Sequence, residues 1–225
     1  MEALLAFVAT LISLRLSADL LRRYRDRPAP ELLAWAAALG AFALGSAALA
    51  WGAAADWSNP AFRVYYLFGG LLAAALLGAG SLLRVGVRWV GPLTLVYIGL
   101  AVGIAIAVPL TVPVTGGSIP AAQAHLDLFP ARVLAIAANS LGTIAAVTVA
   151  VMGLRRRPLG NALILAGLLV AALGSALAGT GEAESALFSA AAALLLYGGF
   201  VLPKSLNRAS VPRRDAHPGP ADAAP

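Results

Sequence analysis

The residues with chemistry to offer are few. Arg63, Tyr65 and Tyr66 stand together before a long apolar run, and Arg132 heads another. Asp127 lies just upstream of Arg132, and Asn139 and Thr143 follow it inside the same apolar run. Two guanidinium groups, two phenols, one carboxylate and an amide–hydroxyl pair make a set that could bind an anionic or hydroxylated small molecule. In a low-dielectric vestibule such charges attract polar groups far more strongly than in water. The competing reading is that Arg63 and the tyrosines anchor a helix at the lipid headgroups, and that Asn139 bonds a neighbouring helix.

The same scarcity excludes several chemistries. The chain has no cysteine, so disulfides, thiolate metal sites and cysteine nucleophiles are absent. His125 and His217 are its only histidines, and neither falls in an apolar run, which leaves nothing to ligate haem or a buried zinc ion. Lys204, its only lysine, follows Pro203 at the end of the last run, the wrong place for a retinal Schiff base. Carboxylates occur in the later runs only at their ends, so a proton relay or an intramembrane aspartyl protease finds no residues. No catalytic residue, metal site or cofactor is expected, and an enzyme is the least supported class.

These residues must be positioned by membrane helices. Of 225 residues, 60% are hydrophobic and 12% charged, about half the charge of a soluble domain. Seven apolar spans are expected: Ala3–Leu21, Leu32–Ala50, Val64–Leu83, Trp89–Leu110, Val133–Met152, Leu159–Gly179 and Ala186–Leu202. Each is within reach of the roughly 17–25 residues that a spanning helix needs. The first begins Met-Glu with no basic leader, so it reads as a membrane helix rather than a cleaved signal.

Charge sets the orientation. Arg22, Arg23, Arg25 and Arg27 follow the first span, Arg84 and Arg88 the third, Arg155, Arg156 and Arg157 the fifth, and Lys204, Arg208, Arg213 and Arg214 the seventh. Glu2, Asp56, Asp127, Glu182 and Glu184 fall on the other side, with Arg63 and Arg132 as its cations. The positive-inside rule places the N-terminus outside and the C-terminus in the cytoplasm. Trp51, Trp57, Tyr65 and Tyr66 would mark the outer interface, and Tyr24, Trp35 and Trp89 the inner one. The +6 charge is then a topology signal, and no nucleic-acid partner is expected. The fold class is an all-α integral membrane protein, with a transmembrane domain over 1–208 and a disordered cytoplasmic tail over 209–225. A plasma-membrane location is expected.

Two further patterns bear on organisation. The outer loop 109–131 carries four prolines, with Ala121–Leu128 read as two turns of interfacial helix. In this reading Leu126 and Phe129 contact the bundle and His125 faces water. Second, Arg25-Asp26-Arg27-Pro28 and Arg155-Arg156-Arg157-Pro158 each precede an Ala-Leu-Gly-Ser-Ala, at Ala43–Ala47 and Ala172–Ala176. Twenty-five residues from the start of each pentapeptide stands an aromatic–Gly–Gly, at Phe68 and at Tyr197. The pairing implies a parallel three-plus-one-plus-three repeat, against the alternative that Ala, Leu and Gly simply dominate both segments. That order resembles the SWEET sugar transporters in topology alone. The proline–glutamine pair of the related PQ-loop proteins is absent.

Arg15 and Asp19, four apart, read as a structural pair on one helix face. Gly99 and Gly103 form a Gly-x-x-x-Gly that permits close helix approach, including self-association. The most specific functional expectation is binding or translocation of a small polar solute. The alternative is a non-transporting accessory, assembly or sensor subunit. A tightly packed bundle would favour the latter.

Overall fold

The computed structural model describes residues 2–176 and 182–201, and within them every regular element is helical. Helix α1 spans Glu2–Asp26 and α2 spans Pro30–Ala55. Pro30 opens α2 at a position where the missing N–H costs nothing. The α2 helix stops at Asp56, whose φ of 64° leaves the helical region.

Helix α3 covers Asn59–Arg84, and α4 covers Val90–Ala107. A single turn, α5, spans Ala122–His125 in the outer loop. It is shorter than the expected Ala121–Leu128, because Leu126 is already extended. Helix α6 runs Leu128–Gly153, α7 Pro158–Ala176 and α8 Glu182–Val201.

Five of these, α1, α2, α3, α4 and α6, are long and apolar enough to cross a membrane. Among the described residues the chain is therefore all-helical, with five candidate membrane spans. The apolar stretches of α7 and α8 are shorter, Pro158–Gly174 and Ala186–Val201. The last residues expected in the sixth and seventh spans, like the tail 209–225, lie outside the described residues. Helix α3 starts five residues before the expected Val64, since Asn59-Pro60 forms its first turn.

Six helices close into a ring. In contact order it runs α1, α2, α3, α6, α7, α8 and back to α1. Helix α4 stands outside and packs mainly on α3. Ring closure depends on small residues, as it must where lipid removes the hydrophobic drive between helices. A Cβ on Gly78 of α3 would lie 2.4 Å from the Gly142 Cα of α6. A Cβ on Gly80 would lie 2.5 Å from the Trp35 ring, which also meets Phe200 of α8 edge-on at 5.3 Å. Trp35 thus lies between α2, α3 and α8 rather than serving as a simple interface anchor. Trp57 likewise is buried, its indole packed over Gly52 and against Tyr65.

The pentapeptide glycines of the two halves pack differently. Gly45 meets the Gly69 backbone of α3, whereas Gly174 meets Phe188 of α8 and not Gly198. Gly99 and Gly103 have nothing within 4 Å of a built Cβ, so the expected Gly-x-x-x-Gly contact is not made among the described residues.

Candidate functional site

The centre of interest is a defect in α3. From Tyr66 to Leu72 the helix is π-wound, while Asn59–Tyr65 and Ala73–Arg84 are α-helical. The sequence Gly69-Gly70 removes two side chains there, which lets the backbone widen. Widening turns carbonyls away from their usual partners, and inside a membrane they must find others. Two side chains supply them. Asn139 Nδ2 on α6 donates to Gly70 O at 2.7 Å, and Tyr97 Oη on α4 donates to Leu71 O at 2.6 Å. The π-turn is thereby held from both sides, by a ring helix and by the outlying α4.

Arg63 sits one turn above, and its guanidinium reaches across to the end of α4. Nη1 donates to Ala105 O, and Nη2 donates to Val108 O at 2.9 Å. The last carbonyls of any helix lack intrahelical partners and carry the negative end of its dipole. Arg63 therefore serves as the C-terminal cap of α4, delivered from another helix.

Above these contacts the outer loop folds back over the bundle. Trp57 N donates to Gly116 O at 2.8 Å, and Asn59 Oδ1 accepts from Val114 N at 2.7 Å. Thr111 N donates to His125 O at 3.0 Å, and Val114 and Leu126 are buried. Leu126 meets the expectation. Phe129 does not, being 78% exposed. Its φ of −111° and ψ of 139° interrupt the first turn of α6 and swing the ring outward. Nor does His125 point freely into water: it is half-buried, its ring 5.6 Å from Phe62 and its Nδ1 3.0 Å from Val112 O.

A small pocket lies beneath the loop. Phe62, Arg63 and Tyr66 of α3 line one side, Ile104 and Ala105 of α4 another, and Leu110, Leu126 and Ala131 close it. Its free interior is about 10 Å³, room for roughly one water-sized particle. The expected site residues separate around it. Arg63 and Tyr66 line the pocket. Arg132 is half-buried next to Ala131 and does not line the pocket. Tyr65 packs edge-on against Trp57 at 5.4 Å. Asp127 is exposed at the head of α6. Asn139 is spent on Gly70, and Thr143 lies a further turn along α6, half-buried.

Arg15 and Asp19 are 3.5 Å apart, with the Arg15 side chain 70% exposed, as a pair on the outer face of α1 would be. Among the described residues no cluster of His, Asp and Glu is placed to hold a metal ion.

Sequence reasoning missed Tyr97 and Gly142. Tyr97 could have been found, because a phenol deep in an apolar run needs an acceptor. Gly142 carries no such signal: one glycine among many in α6 and its neighbours becomes a contact only once α3 is docked.

The chain matches no protein-family model, and no curated protein or solved structure resembles it significantly.

Proposed function

We propose that the chain is a non-transporting component of a membrane, an accessory, assembly or sensor subunit that works through its surfaces. One observation carries this reading. The two polar groups best suited to handle a solute, the Arg63 guanidinium and the Asn139 amide, donate to backbone carbonyls of neighbouring helices. A solute path needs polar groups with free valence facing a continuous cavity. Here the pocket beside Arg63 holds about 10 Å³, and Asn139 does not line it.

In this reading all seven apolar helices cross the bilayer, with the N-terminus outside. Arg22, Arg23 and Arg25 at the C-terminal end of α1, Arg88 after α3, and Arg155 and Arg156 after α6 are all exposed, which fits one cytoplasmic face. The ring order also fits a three-plus-one-plus-three arrangement. Stepping three places round the ring converts α1, α2, α3 into α6, α7, α8 and leaves α4 as the linker. The unequal contacts of Gly45 and Gly174 weigh against the sequence alignment of that repeat, though not against the helix order.

The test is reconstitution. Proteoliposomes carrying the chain, challenged with glycerol, urea or glucose gradients, should swell no faster than protein-free vesicles. Faster swelling with any of these would restore the solute-translocation reading.

A further inference from the structure

Arg15 and Asp19 form an ion pair that the fold leaves on the outer face of a candidate membrane span. Helix α1 buries Ala6, Ala9, Ser13, Leu16 and Leu20, and packs on α2 and α8. The opposite face is bare. Leu4, Phe7, Leu11 and Leu14 are exposed there, and so are Arg15, Ala18 and Arg22. Charged side chains within a span normally face the bundle or a water-filled cavity, because hydrocarbon solvates them poorly. Arg15 does neither: its side chain is 70% exposed, against 23% for Asp19. The guanidinium is the member of the pair left without cover.

The direction of Arg15 is informative. In a helix the Cα–Cβ bond tilts toward the N-terminus. Yet Arg15 Nε lies 3.5 Å from Asp19 Oδ2, one turn toward the C-terminus. Four residues rise about 6 Å, so the guanidinium stands near the level of Asp19, just short of Leu21, where the apolar run ends. A long cationic side chain bent this way places its charge at the border of hydrocarbon and headgroups. Only Nε faces the carboxylate. Among the described residues Arg15 has no other polar partner, which leaves both terminal nitrogens free to donate. Arg22 follows seven residues later, nearly two full turns on, so it shares this face, and it is exposed. Ala18, between the two arginines, is small and exposed and leaves room between them. Two cations and one carboxylate give this patch a single net positive charge. Arg25 and Asp26, both exposed and opposite in sign, follow at the end of the helix.

We infer that the outer face of α1 holds one anionic phospholipid, its phosphodiester between Arg15 and Arg22 over Ala18 and its acyl chains along Leu14, Leu11 and Phe7. Three features select this occupant. The first is charge: one phosphodiester offsets the net positive charge of the patch, and guanidinium groups bind phosphate oxygens through paired N–H donors. The second is depth, since the Arg15 guanidinium stands where the apolar run of α1 ends. The third is continuity. The exposed apolar track starts at Leu14 and runs toward the N-terminus, the direction that acyl chains take from a headgroup at this level. A second copy of the chain fits less well. Pairing this face about a two-fold axis along the helix would set Arg15 against Arg15 and Arg22 against Arg22, like charge against like. The site rests on α1 crossing the bilayer and is independent of whether the bundle passes a solute.

The experiment uses the full chain in mild detergent. Thermal unfolding is followed while phosphatidylglycerol or phosphatidylcholine with the same acyl chains is titrated in. The site gives a saturable rise in melting temperature with phosphatidylglycerol. Phosphatidylcholine, whose choline cancels the charge, should bind at least about tenfold more weakly. Glycerol phosphate, the anion without chains, should give no rise. Two variants separate a lipid site from a purely structural ion pair, because both abolish the pair. Asp19→Asn should keep the phosphatidylglycerol response, since Arg15 and Arg22 remain. Arg15→Gln combined with Asp19→Asn should weaken it at least about tenfold, as should Arg22→Gln alone. Equal responses to the two lipids overturn the proposal, as does an undiminished response in the double variant. A rise with glycerol phosphate equal to that with the lipid would assign the patch to free phosphate and overturn it too. So would a dimer of the wild type in lipid-free detergent that the double variant converts to monomer, which would give the face to a second copy. Native mass spectrometry of the wild type needs no variant: one phosphatidylglycerol retained per chain supports the site, and none retained overturns it.

Discussion

Gly78 of α3 and Gly142 of α6 pack backbone against backbone: a Cβ built on Gly142 would stand 2.3 Å from Ala74 O and 3.0 Å from the Ala75 Cα. No rotamer change can relieve a clash with backbone, so either the helices part or the ring opens.

Gly142→Ala should therefore destabilise the chain by about 1–3 kcal/mol, at the upper end of that range. Gly99→Ala and Gly103→Ala, which meet nothing within 4 Å, should leave stability unchanged or slightly raised. Denaturant unfolding in mixed micelles distinguishes the two sets. Equal losses at Gly99 and Gly103 in the isolated chain would mean that α4 has a partner helix which the ring does not show.

Asn139→Leu removes the donor to Gly70 O and leaves a π-turn carbonyl unpaired. The expected loss is about 0.6–2 kcal/mol, the range for interhelical hydrogen bonds in membranes. A residue that only lined an aqueous path would show no such loss, so the same unfolding measurement separates the two roles.

The helical elements were largely legible, because apolar length acts locally and leaves its mark in sequence. The candidate site was legible only as a set of residue types. Arg63 and Asn139 stand out by residue type, but their roles depend on which backbone atoms come within reach. Arg63 acquires its role from the end of α4, some forty residues away, and Asn139 from a π-turn in α3 that no periodicity announces. Phe129 was misplaced because one non-helical residue redirected it, against a pattern of apolar residues that favoured burial.

Arg63→Met should release the last turn of α4. A hydrogen bond from a charged donor is worth about 1.5–3 kcal/mol, and here two are lost. Hydrogen exchange should accelerate at Val108, whose N–H bonds to Ile104 O, and in the loop that follows. Arg63→Lys, with a single compact ammonium, should restore part of the protection. Unchanged exchange at Val108 in Arg63→Met would show that the cap contributes nothing.

Reporter fusions after Gly181 and after Arg208 should give opposite compartments, with the second cytoplasmic. Fourteen of the sixteen lysines and arginines, counting Arg15 within the first span, then fall in the inner half. The same compartment for both would remove α8 from the set of crossing helices.

A closed bundle makes one demand above all, that water does not reach its middle. The chain has no cysteine, so single cysteines can be introduced without further change. Ser46→Cys in α2, a buried position, and Thr143→Cys in α6, a half-buried one, report on the interior, and Ala124→Cys in the exposed outer loop is the control. A membrane-impermeant thiol reagent added to intact cells should label Ala124→Cys quickly and leave Ser46→Cys and Thr143→Cys unlabelled. Labelling of either interior cysteine at a rate near that of Ala124→Cys would contradict a packed, non-transporting bundle and would mark a water-filled path between α2, α3 and α6.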